Sequence, residues 1–68
     1  MNIQLKQTLS IHSEPAYIVA DKVGRSPAWL SMVIREMAEP SELEKRKISE
    51  VLGRRVGELF PAHNQEVA

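Results

Sequence analysis

The chain has 68 residues, no cysteine, and nine basic against nine acidic residues, for a formal net charge of +0. That length allows one small domain with a marginal core, and the lack of cysteine excludes a disulfide framework and thiolate metal sites. Hydrophobic residues at 43% fit a globular chain; no apolar run is long enough to span a membrane, and no secretion-signal pattern opens the sequence, so an intracellular, cytoplasmic location is expected.

From Asn2 to about Ile11, Leu5 and Leu9 are four apart, as on one side of a helix; the alternation around Ile3 and Leu5 also allows a short strand. Ser13-Glu14-Pro15 is a helix-entry signal, with an oxygen-bearing cap and a proline for the first turn. The second helix then runs to about Val23 and stops at Gly24, with Ala16, Val19, Ala20 and Val23 pointing one way. Ser26-Pro27 opens a third helix, because serine accepts from an orphan backbone amide and proline suits the first helical position. Pro40 stops that run or the loop after it. Ser41-Glu42-Leu43-Glu44 is a capping box for a fourth helix. Leu43, Ile48, Val51 and Leu52 form its apolar side, and Lys45, Lys47 and Glu50 its charged side. Gly53 ends it. Val56 to Phe60 gives a final turn or short helix that Pro61 terminates, and Ala62 to Ala68 read as a flexible tail. The expected organisation is one domain over 1–61 and a tail over 62–68.

The third helix has two unlike sides. At 100° per residue, Ser26, Pro27, Val33, Ile34 and Met37 fall within about 60° of Leu30, which makes that the expected core side. Ala28, Ser31, Met32 and Arg35 lie roughly 100–200° away, with Trp29 and Glu36 on the remaining flank. The expected outward face is therefore Ala28, Ser31, Met32 and Arg35, with Trp29 at its edge. A monomeric domain rarely exposes an apolar pair such as Trp29 and Met32 without a use.

Ala20 and Gly24 are four apart; Leu30-Ser31 and Val33 follow after five more residues. A small residue at 20 lets two helices approach, glycine at 24 tolerates a left-handed turn, and Leu30 and Val33 return to the core. This pattern resembles the helix-turn-helix of the Cro/phage-repressor family, also called the XRE family, over about Tyr17 to Phe60. The resemblance implies an all-α, four- to five-helix, lambda-repressor-like domain. It implies a sequence-specific transcriptional regulator of phage or bacterial type, repressor or activator, with a recognition helix at about 26–36 in the DNA major groove and the second helix crossing the backbone. Base-reading positions of the family fall on Pro27, Ala28, Trp29, Ser31 and Met32. Backbone-contact positions fall near Ala16, Arg35 and the loop with Met37 and Glu39. Lys22 and Arg25 are added as phosphate contacts on charge alone. Double-stranded DNA is the implied partner, bound as a dimer with half-sites about one helical turn apart. A homodimer surface is expected from the C-terminal helix region, with Val56, Leu59, Phe60 and the tail as candidates.

Several residues depart from the family pattern. Arg25 and Arg54 follow the two turn glycines where a small apolar residue is common. Glu36 stands where glycine or asparagine usually ends the recognition helix, and a carboxylate there would repel a phosphate. Ile34 takes a place often held by a glutamate paired to an arginine; Leu9 lies opposite it, so an apolar contact replaces the ion pair. The second helix lacks the usual glycine and apolar pair at its entry. The neutral net charge also runs against the basic balance common among nucleic-acid binders.

Each of these residues has a plainer reading. Trp29 is a contact residue or a core tryptophan, and Met32 a contact or a gap-filler. Arg35 touches DNA or is a helix-end cation. Lys45-Arg46-Lys47 is an anion patch or, between glutamates, a solvated helix face; Arg54-Arg55 is a phosphate contact or a solvated turn. His12 and His63 share no ligand spacing with carboxylates, and neither a nucleophile elbow nor a phosphate-binding loop is present. No enzyme activity, cofactor, metal or small-molecule substrate is expected. A second class of function uses the same scaffold differently: a protein-interaction module, such as an anti-repressor or adaptor, that docks through the Trp29/Met32 patch.

Overall fold

The computed structural model describes residues 1–61, in which the regular elements are five helices. These are α1 (Ile3–Ile11), α2 (Ala16–Val23), α3 (Pro27–Ile34), α4 (Glu42–Leu52) and α5 (Val56–Leu59). The first segment is thus helical, and the strand alternative for it falls. The expected tail at 62–68, with His63, lies outside the described residues.

Short-range chemistry sets most of the helix ends. Asn2 caps α1 by accepting from the Leu5 amide at 3.0 Å. Ser26 Oγ accepts from the Trp29 amide at 3.1 Å and Pro27 follows at the first helical position. Ser41 and Glu44 complete the reciprocal capping box of α4, with Ser41 Oγ accepting from the Glu44 amide at 3.1 Å and Glu44 Oε1 from the Ser41 amide at 2.9 Å. The start of α2 is different. Pro15 itself occupies the cap position and no side chain caps the helix. Glu14 instead turns to Lys22, whose Nζ donates to both carboxylate oxygens at 2.8 and 2.9 Å.

Three helices end the same way. Gly24, Glu36 and Gly53 have φ of 89°, 64° and 69°. The next amide reaches back into the helix in each case: Arg25 to Ala20 at 2.9 Å, Met37 to Met32 at 2.8 Å and Arg54 to Ser49 at 3.0 Å. These bonds satisfy carbonyls that a helix end would otherwise leave without partners.

The core lies between all five helices. Leu5, Val19, Leu30, Ile48 and Leu59 are essentially inaccessible, and Ala20, Val23, Val33, Leu52 and Phe60 join them. Burial of each large aliphatic contributes about 1.5–3 kcal/mol. Helix α2 packs on α3 and α4, while α1 packs on α3 and α5 and α4 meets α5. Leu9 and Ile34 are both half-buried against this cluster. Asn2 ties three elements together beyond its cap, because its amide donates to the Ile34 carbonyl at 2.7 Å and its Nδ2 to the Leu59 carbonyl at 2.7 Å.

The sides of three helices differ from expectation. On α4, Lys45 is 2% exposed and Leu43 is 59% exposed, the reverse of the sequence reading. The buried positions are 45, 48, 49 and 52, one continuous helical stripe. The lysine stem occupies its first place because the ammonium still reaches the Glu39 carboxylate at 3.0 Å. On α2, Ala16 is exposed rather than sharing the side of Val19 and Val23. On α3, Pro27 is exposed, and Met37 stands free of the core because the helix ends at Ile34 and the periodicity stops with it.

Candidate functional site

The segment α2–Gly24–α3 presents one side of α3 away from the core. Its rear is anchored by Leu30 and Val33. Its front carries Pro27, Ala28, Met32 and Arg35, all exposed, with Ser31 half-buried among them. Met32 is 40% exposed. Arg35 Nη2 donates to Ser31 Oγ at 3.3 Å, which lays the guanidinium along the helix face. Four of the five residues expected to face outward on α3, Ala28, Ser31, Met32 and Arg35, therefore do so at least in part, and Pro27, expected on the core side, joins their surface.

Trp29 does not. It is 6% exposed and belongs to the core cluster. The buried arc of α3 is centred on Val33 and not on Leu30, and it takes in Trp29 one helical turn back. The indole is also roofed over. The Arg25 guanidinium carbon lies 4.6 Å from the ring centroid, and Arg25 Nη1 donates to Glu44 Oε2 at 2.6 Å.

The cations expected at phosphates are already engaged. Lys22 is paired to Glu14 and Arg25 to Glu44. The Glu14 carboxyl is held below the usual carboxylate range, chiefly by the Lys22 hydrogen bond. That of Glu44 is lowered chiefly by the Ser41 backbone amide and then by Arg25. His12 Nε2 lies 3.6 Å from Glu14 Oε1 and is buried without a hydrogen-bond partner. Glu36, the residue expected to repel phosphate, has its carboxylate 2.7 Å from the Met1 ammonium, which matches its charge locally. Ala16 is exposed at the uncapped start of α2.

The expected pairing residues at the C-terminal end need correction as well. Leu59 and Phe60 are 1% and 7% exposed, because both fill the chain's own core; Val56 is half-exposed, and the tail lies outside the described residues. Two surface hollows lie away from the α3 front. One, of about 570 Å³, is bounded by Met1, Ile3, Val33, Ala38, Pro40 and Phe60; the other, of about 420 Å³, lies between α1 and the Arg54–Glu58 region. Among the described residues no group of three or more metal-ligating side chains occurs, and no helix is long and apolar enough to cross a membrane.

Spacing did not reveal the partnerships of Asn2, Arg25, Glu44 and Lys45. Arg25 and Glu44 are 19 positions apart and Asn2 and Leu59 are 57 apart, so no local periodicity links them. The one available signal was the capping box, which fixes where the Glu44 carboxylate starts. Comparison with family models, curated proteins and solved structures returned no match.

Proposed function

We propose that this chain is a sequence-specific DNA-binding regulator of the Cro/phage-repressor type, in which α2–Gly24–α3 is the helix-turn-helix and α3 enters the major groove. The observation that carries this reading is the composite front of α3. Ala28 and Met32 suit thymine methyl groups, and Ser31 and Arg35 suit base or phosphate acceptors. Pro27 acts by shape. Trp29 is left out of the reading set because it is buried. Ala16, exposed at the start of α2 where no side chain caps the helix, is left to meet an approaching phosphate backbone, while Lys22 is held by Glu14. Binding as a dimer to a two-fold site belongs to the proposal, with a pairing surface that does not draw on Leu59 or Phe60. The reading as a protein-docking module loses half of its apolar patch with the burial of Trp29.

Selection from a random duplex pool with the whole chain as bait tests the proposal. A two-fold consensus is expected. On that duplex, Arg35→Ala should weaken binding by about 1–3 kcal/mol if it reads a base, or lower the salt slope by about one if it holds a phosphate. Met32→Ala should relax preference at one position of each half-site. No enriched sequence, or wild-type binding by both variants, would reject the assignment.

A further inference from the structure

On the reading just proposed, we infer that Arg25 is a positioning residue that braces α3 from the α4 side, and is not a phosphate contact. The backbone of Arg25 is fixed first, because its amide closes the end of α2 on the Ala20 carbonyl at 2.9 Å. Its guanidinium then covers the Trp29 ring, with Cζ 4.6 Å from the centroid, and donates to Glu44 Oε2 at 2.6 Å. Glu44 is itself immobilised, since its other oxygen accepts from the Ser41 amide at 2.9 Å. One arginine thus joins the end of α2, the first turn of α3 and the first turn of α4.

Helix α3 has only eight residues and packs on α2 and α1. Its side toward α4 is held by this stack of Trp29, Arg25 and Glu44. An exposed ion pair alone contributes little. Here the carboxylate is pinned by a capping box and the guanidinium by a ring face, so little side-chain freedom is lost on pairing, and stacking adds to the attraction. The planar fork also explains why arginine, and not lysine, suits this place: lysine keeps the charge but neither stacks nor presents a fork. A shift in the roll of α3 would move Ser31, Met32 and Arg35 together relative to any groove they enter.

The test compares Arg25→Ala, Arg25→Lys and Glu44→Gln in the whole chain. The glutamine keeps an oxygen for the Ser41 amide, so it remains informative if the alanine variant unfolds. Trp29 is the chain's single tryptophan, and its emission reports on the brace without any DNA. All three variants should red-shift that emission and increase its quenching by acrylamide while helical circular dichroism is retained. On the duplex recovered by selection, each should lose about tenfold in affinity, the scale of a misplaced base contact, with the salt slope unchanged. Binding to an unselected random duplex should change less than about twofold, because that mode rests on phosphate charge. The double variant should be no weaker than either single one.

Rescue by Arg25→Lys, a salt slope lower by about one, or equal losses on both duplexes would make Arg25 a phosphate contact and overturn the brace. Unaltered Trp29 emission in all three variants would overturn it too. If wild type binds no duplex, the functional proposal fails while the emission experiment still decides the brace.

Discussion

Glu36 adopts φ of 64°, a conformation that L side chains other than asparagine and aspartate seldom occupy. It does so because the last carbonyls of α3 need partners: the Val33 carbonyl accepts from Glu36 N at 3.0 Å and the Met32 carbonyl from Met37 N at 2.8 Å. A left-handed L residue costs roughly 1–2 kcal/mol. Glu36→Gly removes that cost, loses the exposed pair with the Met1 ammonium and loosens the unfolded chain. A net stabilisation of about 1 kcal/mol should follow, read as a higher urea midpoint; an unchanged or lower midpoint would show that the Met1 pair outweighs the backbone strain. The sequence exposed this oddity, since a glutamate at the end of the third helix departs from the pattern of the Cro/phage-repressor domains that the sequence resembles. It did not expose the burial of Trp29. A wheel drawn from one leucine assigns equal weight to both flanks, whereas α3 is covered unequally by its two neighbouring helices.

Elements whose ends are set within four residues were legible. Ser26 with Pro27, Ser41 with Glu44, Gly24 and Gly53 each act through their own immediate backbone, and each helix end fell where these residues placed it. Helix α2 was legible at its end but less so at its start, where Ser13-Glu14-Pro15 yields to a tertiary pair between Glu14 and Lys22. Helix α4 was legible in extent but misread in rotation. Its lysine is chemically two residues in one: an aliphatic stem that fills a core place and a cation that exits to Glu39, 5.5 Å from the Phe60 ring centroid. The stem should therefore matter more than the charge. Lys45→Met should change stability by less than about 1.5 kcal/mol, as volume-conserving swaps do, whereas Lys45→Ala should cost about 2–5 kcal/mol through the cavity it opens. Equal losses in thermal unfolding would assign the stability to the ion pair instead.

Over the whole sequence nine acidic residues offset nine basic ones, and among the described residues Lys22, Arg25 and Lys45 are ion-paired. Glu14 and Glu44 both have carboxyls held below their ordinary values by native partners. Their contribution is thus fully present above the ordinary carboxylate range and fades as pH falls through the lowered values. Stability measured against pH should be level near neutrality and decline under acid conditions, and Glu44→Gln should flatten part of that decline. An identical acid profile for wild type and variant would remove Glu44 from the account. The balance of charge has another outcome. With a net charge of +0, and with Lys22, Arg25 and Lys45 each beside a carboxylate, little long-range field is left to draw in a polyanion. On the proposed reading, a regulator built this way finds its target by unassisted collision, at about 10⁵–10⁶ M⁻¹s⁻¹. It spends little time sliding on unrelated duplex, and its occupancy is governed by how slowly it lets go.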